Sequence, residues 1–484
     1  MRAVPRGILL ALPAVAALAT FSASASASTV RVDQVFGNLE VDAVDSVAHD
    51  VTVTLSGGVY TVTDTAGIVP ADGTCVAPAP DRVQCADVGV ATVRAFLGDQ
   101  NDRFTTTAPV ATTADGGDGN DTLTGGPARD QMSGNLGDDV LSGLGGRDSL
   151  DGDPGNDALL GGAGRDSLRG GPGNDALAGQ GGDDFLDGDP GADGLDGGTE
   201  DDTLNGGPGP DTMLGGAGDG DSLDYSDSSL PVRVALTPGA GNGEPGENDT
   251  LPAADLESLE GGSGDDFLTG NAEDNFLDGE EGNDVMDGGA GTDDVIGGSG
   301  DNVLSGGAGT DFLGAERGAD VFNGGPGRDS ISYSSRSRPV TVKADGRRGD
   351  GEAGENDDVN PDVEDFSGGS ANDQLTGSPG ANDIDGNDGN DRILGRGGDD
   401  ELSGDDGNDL VSGGDGADLV FGGDGADVLA GGARRDTFVA GRGADAITSR
   451  SGEADEVDCT GGRDVVTADR RDRIAADCEV VRRR

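Results

Sequence analysis

One nine-residue phrase recurs through most of this chain, and its fixed period constrains the fold more tightly than any local propensity. It is cleanest at 116–124, Gly-Gly-Asp-Gly-Asn-Asp-Thr-Leu-Thr. Gly opens the phrase, a second Gly or a small polar residue usually follows, Asp stands sixth and an apolar residue eighth. It restarts at Gly125, Gly134, Gly143, Gly152, Gly161, Gly170, Gly179, Gly188, Gly197 and Gly206 without a slipped residue. Such a period is the signature of a solenoid.

Composition alone argues the other way. The 484 residues carry a formal net charge of -63, with 33% apolar residues, 3% aromatics and no Trp. A chain of this kind buries too little apolar surface to offset backbone ordering, which costs roughly 1–2 kcal/mol per residue. With 93 Gly the ordering cost per residue is at the high end. Folding therefore needs a contribution from outside the sequence, and the surplus of carboxylates points to a cation. Nucleic acid is not an expected partner, because the chain repels phosphate and its Arg residues are scattered except at Arg482-Arg483-Arg484.

The N-terminus reads as a secretory signal over 1–27. Arg2 and Arg6 supply the positive end, Gly7 to Phe21 is apolar, and Ala25-Ser26-Ala27 offers a small-residue cleavage site. The apolar stretch is short for a membrane span, so export to a secreted, extracellular location is expected, without stable membrane insertion. Four Cys in an exported chain favour disulfides. Three connectivities are possible, and proximity favours Cys75–Cys85 and Cys459–Cys478. Thiolate metal binding is disfavoured, because there is no Cys-x-x-Cys and His49 is the only His.

The remaining chain divides by pattern. Residues 28–113 predict a small antiparallel β domain, with a hairpin at Val51–Leu55 and Val59–Thr63 and a further strand within Val88–Phe96. His49 precedes the hairpin and is expected to be exposed and without a role. The repeats form three arrays, 114–224, 261–332 and 368–448, and the unit from Gly215 carries an extra residue that moves its Asp to Asp221. The inserts, 225–260 and 333–367, match each other at an offset of twelve units. Tyr225 corresponds to Tyr333, and Gly243-Glu244-Pro245-Gly246-Glu247-Asn248-Asp249 to Gly351-Glu352-Ala353-Gly354-Glu355-Asn356-Asp357. A register kept over that distance predicts modified coils of one solenoid. Residues 449–484 read as a disulfide-closed cap.

The positions within the phrase carry the chemistry. The Gly-rich front forms tight turns. The last three residues form a short strand whose middle side chain points inward, as Leu123, Met132, Leu141, Leu268, Phe322, Leu375 and Phe438 illustrate. The sixth position puts one carboxylate in each turn, and stacking at about 4.8 Å lines the carboxylates up in a column. Like charges at that spacing repel unless a cation lies between them. Calcium suits such a place, since it is hard, takes six to eight oxygens and tolerates irregular geometry, so that turn carbonyls can complete the shell. Magnesium demands a stricter octahedron, and zinc and copper lack the His and Cys they prefer.

The phrase resembles the RTX (repeats-in-toxin) calcium-binding nonapeptide over roughly 116–448. The resemblance implies an all-β fold, a right-handed parallel β-roll or β-helix solenoid with two nonapeptides per coil, here preceded by the small antiparallel domain. It implies several calcium ions held between turns by carbonyls and the sixth-position Asp. Carried onto this sequence, those residues are Asp121, Asp130, Asp139, Asp148, Asp157, Asp166, Asp175, Asp184, Asp193, Asp202 and Asp211 in the first array. The second array supplies Asp266, Asp284, Asp293, Asp311, Asp320 and Asp329, and the third Asp373, Asp391, Asp400, Asp409, Asp418, Asp427, Asp436 and Asp445. Asn275, Asn302 and Asn382 replace the sixth Asp, and Ala128, Glu200, Ala371 and Arg434 interrupt the fourth-position Gly, which weakens the sites there. RTX toxins leave by an exporter that reads a C-terminal signal, whereas this chain carries an N-terminal one, so the toxin role does not transfer.

The expected function is that of a secreted calcium-binding β-roll with calcium-dependent folding, a structural or interaction module outside the cell. The alternative is an adhesin or cell-surface attachment protein. A hydrolase with an RTX tail is less favoured, because only 28–113 is free for a catalytic domain and there is no His-Glu-x-x-His or Gly-x-Ser-x-Gly. No enzyme activity is expected. The outward seventh and ninth positions form no Thr ladder, which disfavours an ice-binding face.

Overall fold

Each nine-residue unit contributes one short strand, and successive units lie on opposite faces. Thr122–Thr124 pairs in parallel with Val140–Gly145, eighteen residues on, while Asp130–Leu136 pairs with Ser149–Asp151 on the other face. The structure is a computed structural model that describes residues 30–35, 37–45, 47–70, 75–87, 89–253, 255–314 and 316–483. The leader expected at 1–27 lies outside the described residues. Among the described residues there is no helix, and the fold is an all-β parallel solenoid with a small antiparallel region near its N-terminus.

One sheet of 23 strands runs the length of the roll, and the opposite face is divided into sheets of 13, 6 and 9 strands. The divisions fall at the inserts. On the undivided face Ser222–Asp224 pairs directly with Ser258–Glu260, and Ser330–Ser332 with Asp365–Ser367. On the divided face Asp249–Leu251 stacks on Thr212–Ala217 and ends the 13-stranded sheet, with Gly239–Asn242 reversed beside it. Arg233–Ala235 then starts the next sheet on Phe267–Thr269. In the second insert Asp358–Val359 ends the six-stranded sheet and Val340–Lys343 starts the next on Gln374–Thr376, with the reversed Gly351–Glu352 lying beside Val340–Lys343. The hydroxyls of Tyr225 and Tyr333 donate to Asp249 and Asp357 at 3.0 and 2.9 Å, the same bond in both inserts. The inserts are therefore coils of one roll, each with a reversed strand added on one face.

The N-terminal region is built onto the first coil. Its hairpin, Asp50–Ser56 and Val59–Asp64, is antiparallel, and Arg82–Ala86 and Cys75–Ala79 extend it. Asp50–Ser56 also pairs in parallel with Arg103–Thr106, which stacks on Thr122–Thr124. The expectation for His49 is corrected. It is buried, its Nδ1 lies 3.1 Å from the Asp64 carboxylate, and its backbone N–H donates to Asp102. A buried imidazole needs such a partner. Both disulfides, Cys75–Cys85 and Cys459–Cys478, are formed.

The core follows from strand alternation. The eighth residue of every unit faces inward and is buried, from Leu123 through Leu304 to Ile447, while its neighbours face out. Leu186 and Phe185 show the contrast, since Leu186 is fully buried and the larger Phe185 is exposed. Leu186→Ala is expected to cost about 2–5 kcal/mol through lost burial and a cavity. Phe185→Ala should stay within about 0.5 kcal/mol. Denaturant unfolding of the calcium-loaded chain measures both, and equal losses would contradict this alternation.

Candidate metal centre

The sixth-position carboxylates form hydrogen-bonded ladders along the roll. Each Asp donates its backbone N–H to the Oδ1 of the Asp one coil on, as Asp121 does to Asp139, Asp139 to Asp157 and Asp157 to Asp175, at 2.6–2.7 Å. Alternate units build a second ladder through Asp130, Asp148, Asp166 and Asp184. There are thus two columns, one for each alternation of the coil, and every member is buried.

The other carboxylate oxygen sets the chemistry. At Asp130, Asp266 and Asp373, Oδ2 accepts the N–H of the second residue of its own turn, Gly126, Gly262 or Gly369, at 2.6–2.9 Å. In the remaining twenty-two predicted ligands Oδ2 is buried with no hydrogen-bond partner. A buried carboxylate oxygen without a partner is costly, and a column of them is more so. The first-position glycines give these oxygens room. A Cβ at Gly404 would stand 2.6 Å from both Asp409 Oδ2 and the Gly422 carbonyl oxygen, and one at Gly161 would stand 2.7 Å from Asp166 Oδ2 and 2.9 Å from the Gly179 carbonyl oxygen. Each hollow therefore brings a carboxylate oxygen and a carbonyl of the next coil together. Among the described residues no three His, Cys, Asp or Glu side chains gather into a metal-sized cluster. A cation here must take many of its ligands from backbone carbonyls, which suits a hard, oxygen-seeking ion of irregular geometry.

The RTX calcium-binding nonapeptide repeat (4 copies) matches the sequence over 112–219, 260–331 and 367–453, more than half of the chain. The chain belongs to the RTX calcium-binding nonapeptide repeat family. RTX repeats bind calcium at multiple sites, and the donor set just described, oxygen only, fits that ion. Comparison with curated proteins finds no match.

Burial dominates the electrostatics of these RTX columns. It pushes the Asp211 carboxyl up to about 8, with the charges of Asp249, Asp193 and Glu247 adding to the rise. Asp148, Asp157, Asp193, Asp202, Asp284, Asp391 and Asp436 are raised to about 7 by burial first and neighbouring carboxylates second. Bonds from the preceding coil's backbone N–H groups pull in the opposite direction and do not cancel the burial.

The columns also run past the RTX repeats readable in the sequence. Asp102 joins upstream of Asp121, and Asp221 takes its place despite the inserted residue. Asp249 and Asp357 continue their columns from Asp211 and Asp320 across 38 and 37 residues. Asp455, Asp464 and Asp472 extend them into the C-terminal segment. Glu257, Glu364 and Glu479 take the terminal position, each accepting the N–H of the last Asp. Asp455 and Asp464 were findable from a spacing of nineteen in place of eighteen. Asp249 and Asp357 were not, because an extra hairpin separates them from the coil they stack on.

Proposed function

We propose that this chain is exported and that its roll folds when it meets calcium, then serves outside the cell as a structural or interaction module without catalytic activity. The buried, partnerless Oδ2 atoms carry this reading. The twenty-two residues from Asp121 to Asp445 that hold such an atom would be the carboxylate ligands, with turn carbonyls of the facing coils beside them. Bound calcium supplies the positive charge that the columns lack. The chain's own part is to align the carboxylates through their Oδ1 bonds, to exclude water from Oδ2, and to leave a glycine wherever a side chain would fill the hollow. Because an unfolded chain has no such site, the free energy of binding becomes free energy of folding. Export is supported by the leader pattern and by the habit of RTX repeat proteins, which are typically secreted by bacteria.

Calcium titration of the full chain, followed by far-ultraviolet circular dichroism, tests the proposal. A coil-like spectrum should become a β spectrum at about 10⁻⁴–10⁻³ M calcium, the range of extracellular modules, and a chelator should reverse it. Magnesium at the same concentration should do far less. A spectrum that ignores calcium up to about 10 mM, well above that range, would remove the reading.

Attachment to another surface is a second reading, favoured by one observation. Phe267, Val285 and Val303 are exposed and stack in register on the six-stranded sheet, forming an apolar stripe on its outer face. Replacing the three with Ser should abolish retention on a partner surface and leave calcium-induced folding unchanged.

A further inference from the structure

The turns of this roll exist in two forms, and backbone conformation separates them. In the open form the second residue is left-handed, as at Gly117, Asn135, Leu144, Gly162, Gln180, Glu280, Arg396 and Gly432, with φ between 64 and 120°. Its N–H then turns away from the carboxylate of its own unit, and Oδ2 is left without a partner. In the closed form the second residue is not left-handed, and its N–H caps the sixth residue. Gly126 caps Asp130, Gly262 caps Asp266, Asn271 caps Asn275, Gly369 caps Asp373 and Ser378 caps Asn382. A left-handed Leu144 or Arg396 costs on the order of 1–2 kcal/mol. The open form therefore persists against a local penalty, as strained turns at functional sites do.

The closed turns share a position. Each follows a coil that is not a nonapeptide: 107–112 before Asp130, and the two inserts before Asp266, Asn275, Asp373 and Asn382. Two of the five carry Asn, whose Oδ1 accepts the cap while its Nδ2 donates to Glu257 or Glu364 carbonyls at 3.2 and 2.8 Å. A neutral side chain satisfies that turn completely.

Asp121 breaks the apparent rule that arrays begin closed. It is the first Asp of its array, yet its turn is open and its Oδ2 is partnerless in a residue 1% exposed. The reason lies in the coil beneath. Residues 97–105, Leu-Gly-Asp-Gln-Asn-Asp-Arg-Phe-Thr, carry Asp102 sixth and a fully buried Phe104 eighth. Gly98 and Gln100 are left-handed, at 103 and 91°. Asp99 bridges Asp118, the third-position pairing that Asp388 makes with Asp406 within the repeats. The Gln100 N–H donates to the Asp118 carbonyl at 2.6 Å, matching Gly389 on Asp406, and a Cβ at Gly117 would collide with the Gly98 carbonyl oxygen. Without a Gly in first position, the segment escapes the repeat pattern and lies upstream of every matched repeat.

We infer that calcium is held only at turns that open over another nonapeptide-type turn, so that residues 97–102 act as an unrecognised first turn that opens the Asp121 site, while the turns of Asp130, Asp266 and Asp373 take no metal. This rests on the calcium reading above. The closed turns are then metal-free starts for the segments of column that follow them.

Hydrogen–deuterium exchange of the full chain across a calcium titration tests it. Peptides spanning 97–106 should exchange about tenfold or more slowly in saturating calcium, as expected for a segment stabilised by a bound ion. Asp121→Asn should remove that gain in protection. At Asp130, Asp266 and Asp373 both carboxylate oxygens accept backbone N–H bonds, so the triple variant Asp130→Asn, Asp266→Asn, Asp373→Asn loses one acceptor at each turn but no cation ligand. It should leave the number of calcium ions bound by the folded chain at saturation unchanged, whereas Asp148→Asn, Asp184→Asn, Asp409→Asn should lower it, as equilibrium dialysis measures. The inference falls if 97–106 ignores calcium while 134–157 responds, or if the two triple variants lose bound calcium alike. A chain in which no peptide responds to calcium would overturn the calcium reading itself.

Discussion

Acidifying the calcium-free protein from pH 7.5 to pH 5 is expected to increase its β content and shrink its hydrodynamic radius, the reverse of ordinary acid denaturation. The sign follows from the buried columns. Folding raises Asp211 to about 8, Asp193 and Asp391 to about 7, and Asp139 and Asp409 to about 6, from an ordinary value of 3.8. Across that window the folded state holds more protons than the unfolded chain, so stability rises as pH falls. The contribution is fully present below 3.8 and is lost as pH rises through about 6 to 8. A proton on Oδ2 relieves the same repulsion that calcium relieves.

Two controls separate this effect from others. Salt at 1 M screens exposed charges to about 3 Å but cannot protonate a buried carboxylate, so salt alone should not fold the chain at pH 7.5. In calcium the dependence inverts, since protons compete for the ligands, and the calcium midpoint should rise as pH falls below about 7. A calcium-free chain equally unfolded at pH 5 and pH 7.5 would show that these carboxylates are not buried as described. Working at pH 5 also keeps the protein away from its isoelectric point near 4.1.

Gly404→Ala is expected to destabilise the calcium-loaded roll by about 4 kcal/mol or more, as a methyl group forced into a packed hollow adds to the loss of one cation site. The new Cβ would stand 2.6 Å from Asp409 Oδ2 and from the Gly422 carbonyl oxygen. Neither can retreat, because the carboxylate is held through Oδ1 by the Asp391 N–H and the carbonyl belongs to the next coil. Gly194 is the comparison. It lies in a strand, faces out, and has nothing nearer than 4.0 Å to an added Cβ. Gly194→Ala should be neutral or stabilising by about 0.5–1 kcal/mol, since Gly in a strand costs backbone entropy. Calcium-dependent thermal unfolding of the two variants distinguishes them, and matched losses would mean that the hollow has no special role.

Much of this molecule is legible from its period. Apolar residues at every eighth position become the core line, Asp at every sixth becomes the ladders, and paired Cys become the two staples. These are consequences of local spacing, because a strand alternates its faces and a fixed unit length returns the same atom to the same place in each coil. The burial of His49 is not legible from its neighbours in the chain, because its environment is made by Asp64 and Asp102, 15 and 53 residues away. Asp249 and Asp357 were hidden because reversed strands put them into columns at a spacing no repeat predicts.

The nine-residue phrase by itself determined a parallel roll with rows of carboxylates and glycine turns, and with them an appetite for calcium. Only the tertiary structure decided which carboxylates keep an oxygen free. Asp121 and Asp266 stand sixth in closely similar turns, Gly-Gly-Asp-Gly-Asn-Asp and Gly-Gly-Ser-Gly-Asp-Asp, yet one turn is open and the other closed. The difference is the coil beneath, left-handed at Gly98 and Gln100 under the first and without such a turn under the second. A carboxylate's last hydrogen bond is set by the neighbour it stacks on, and stacking joins residues about eighteen apart that no local reading compares.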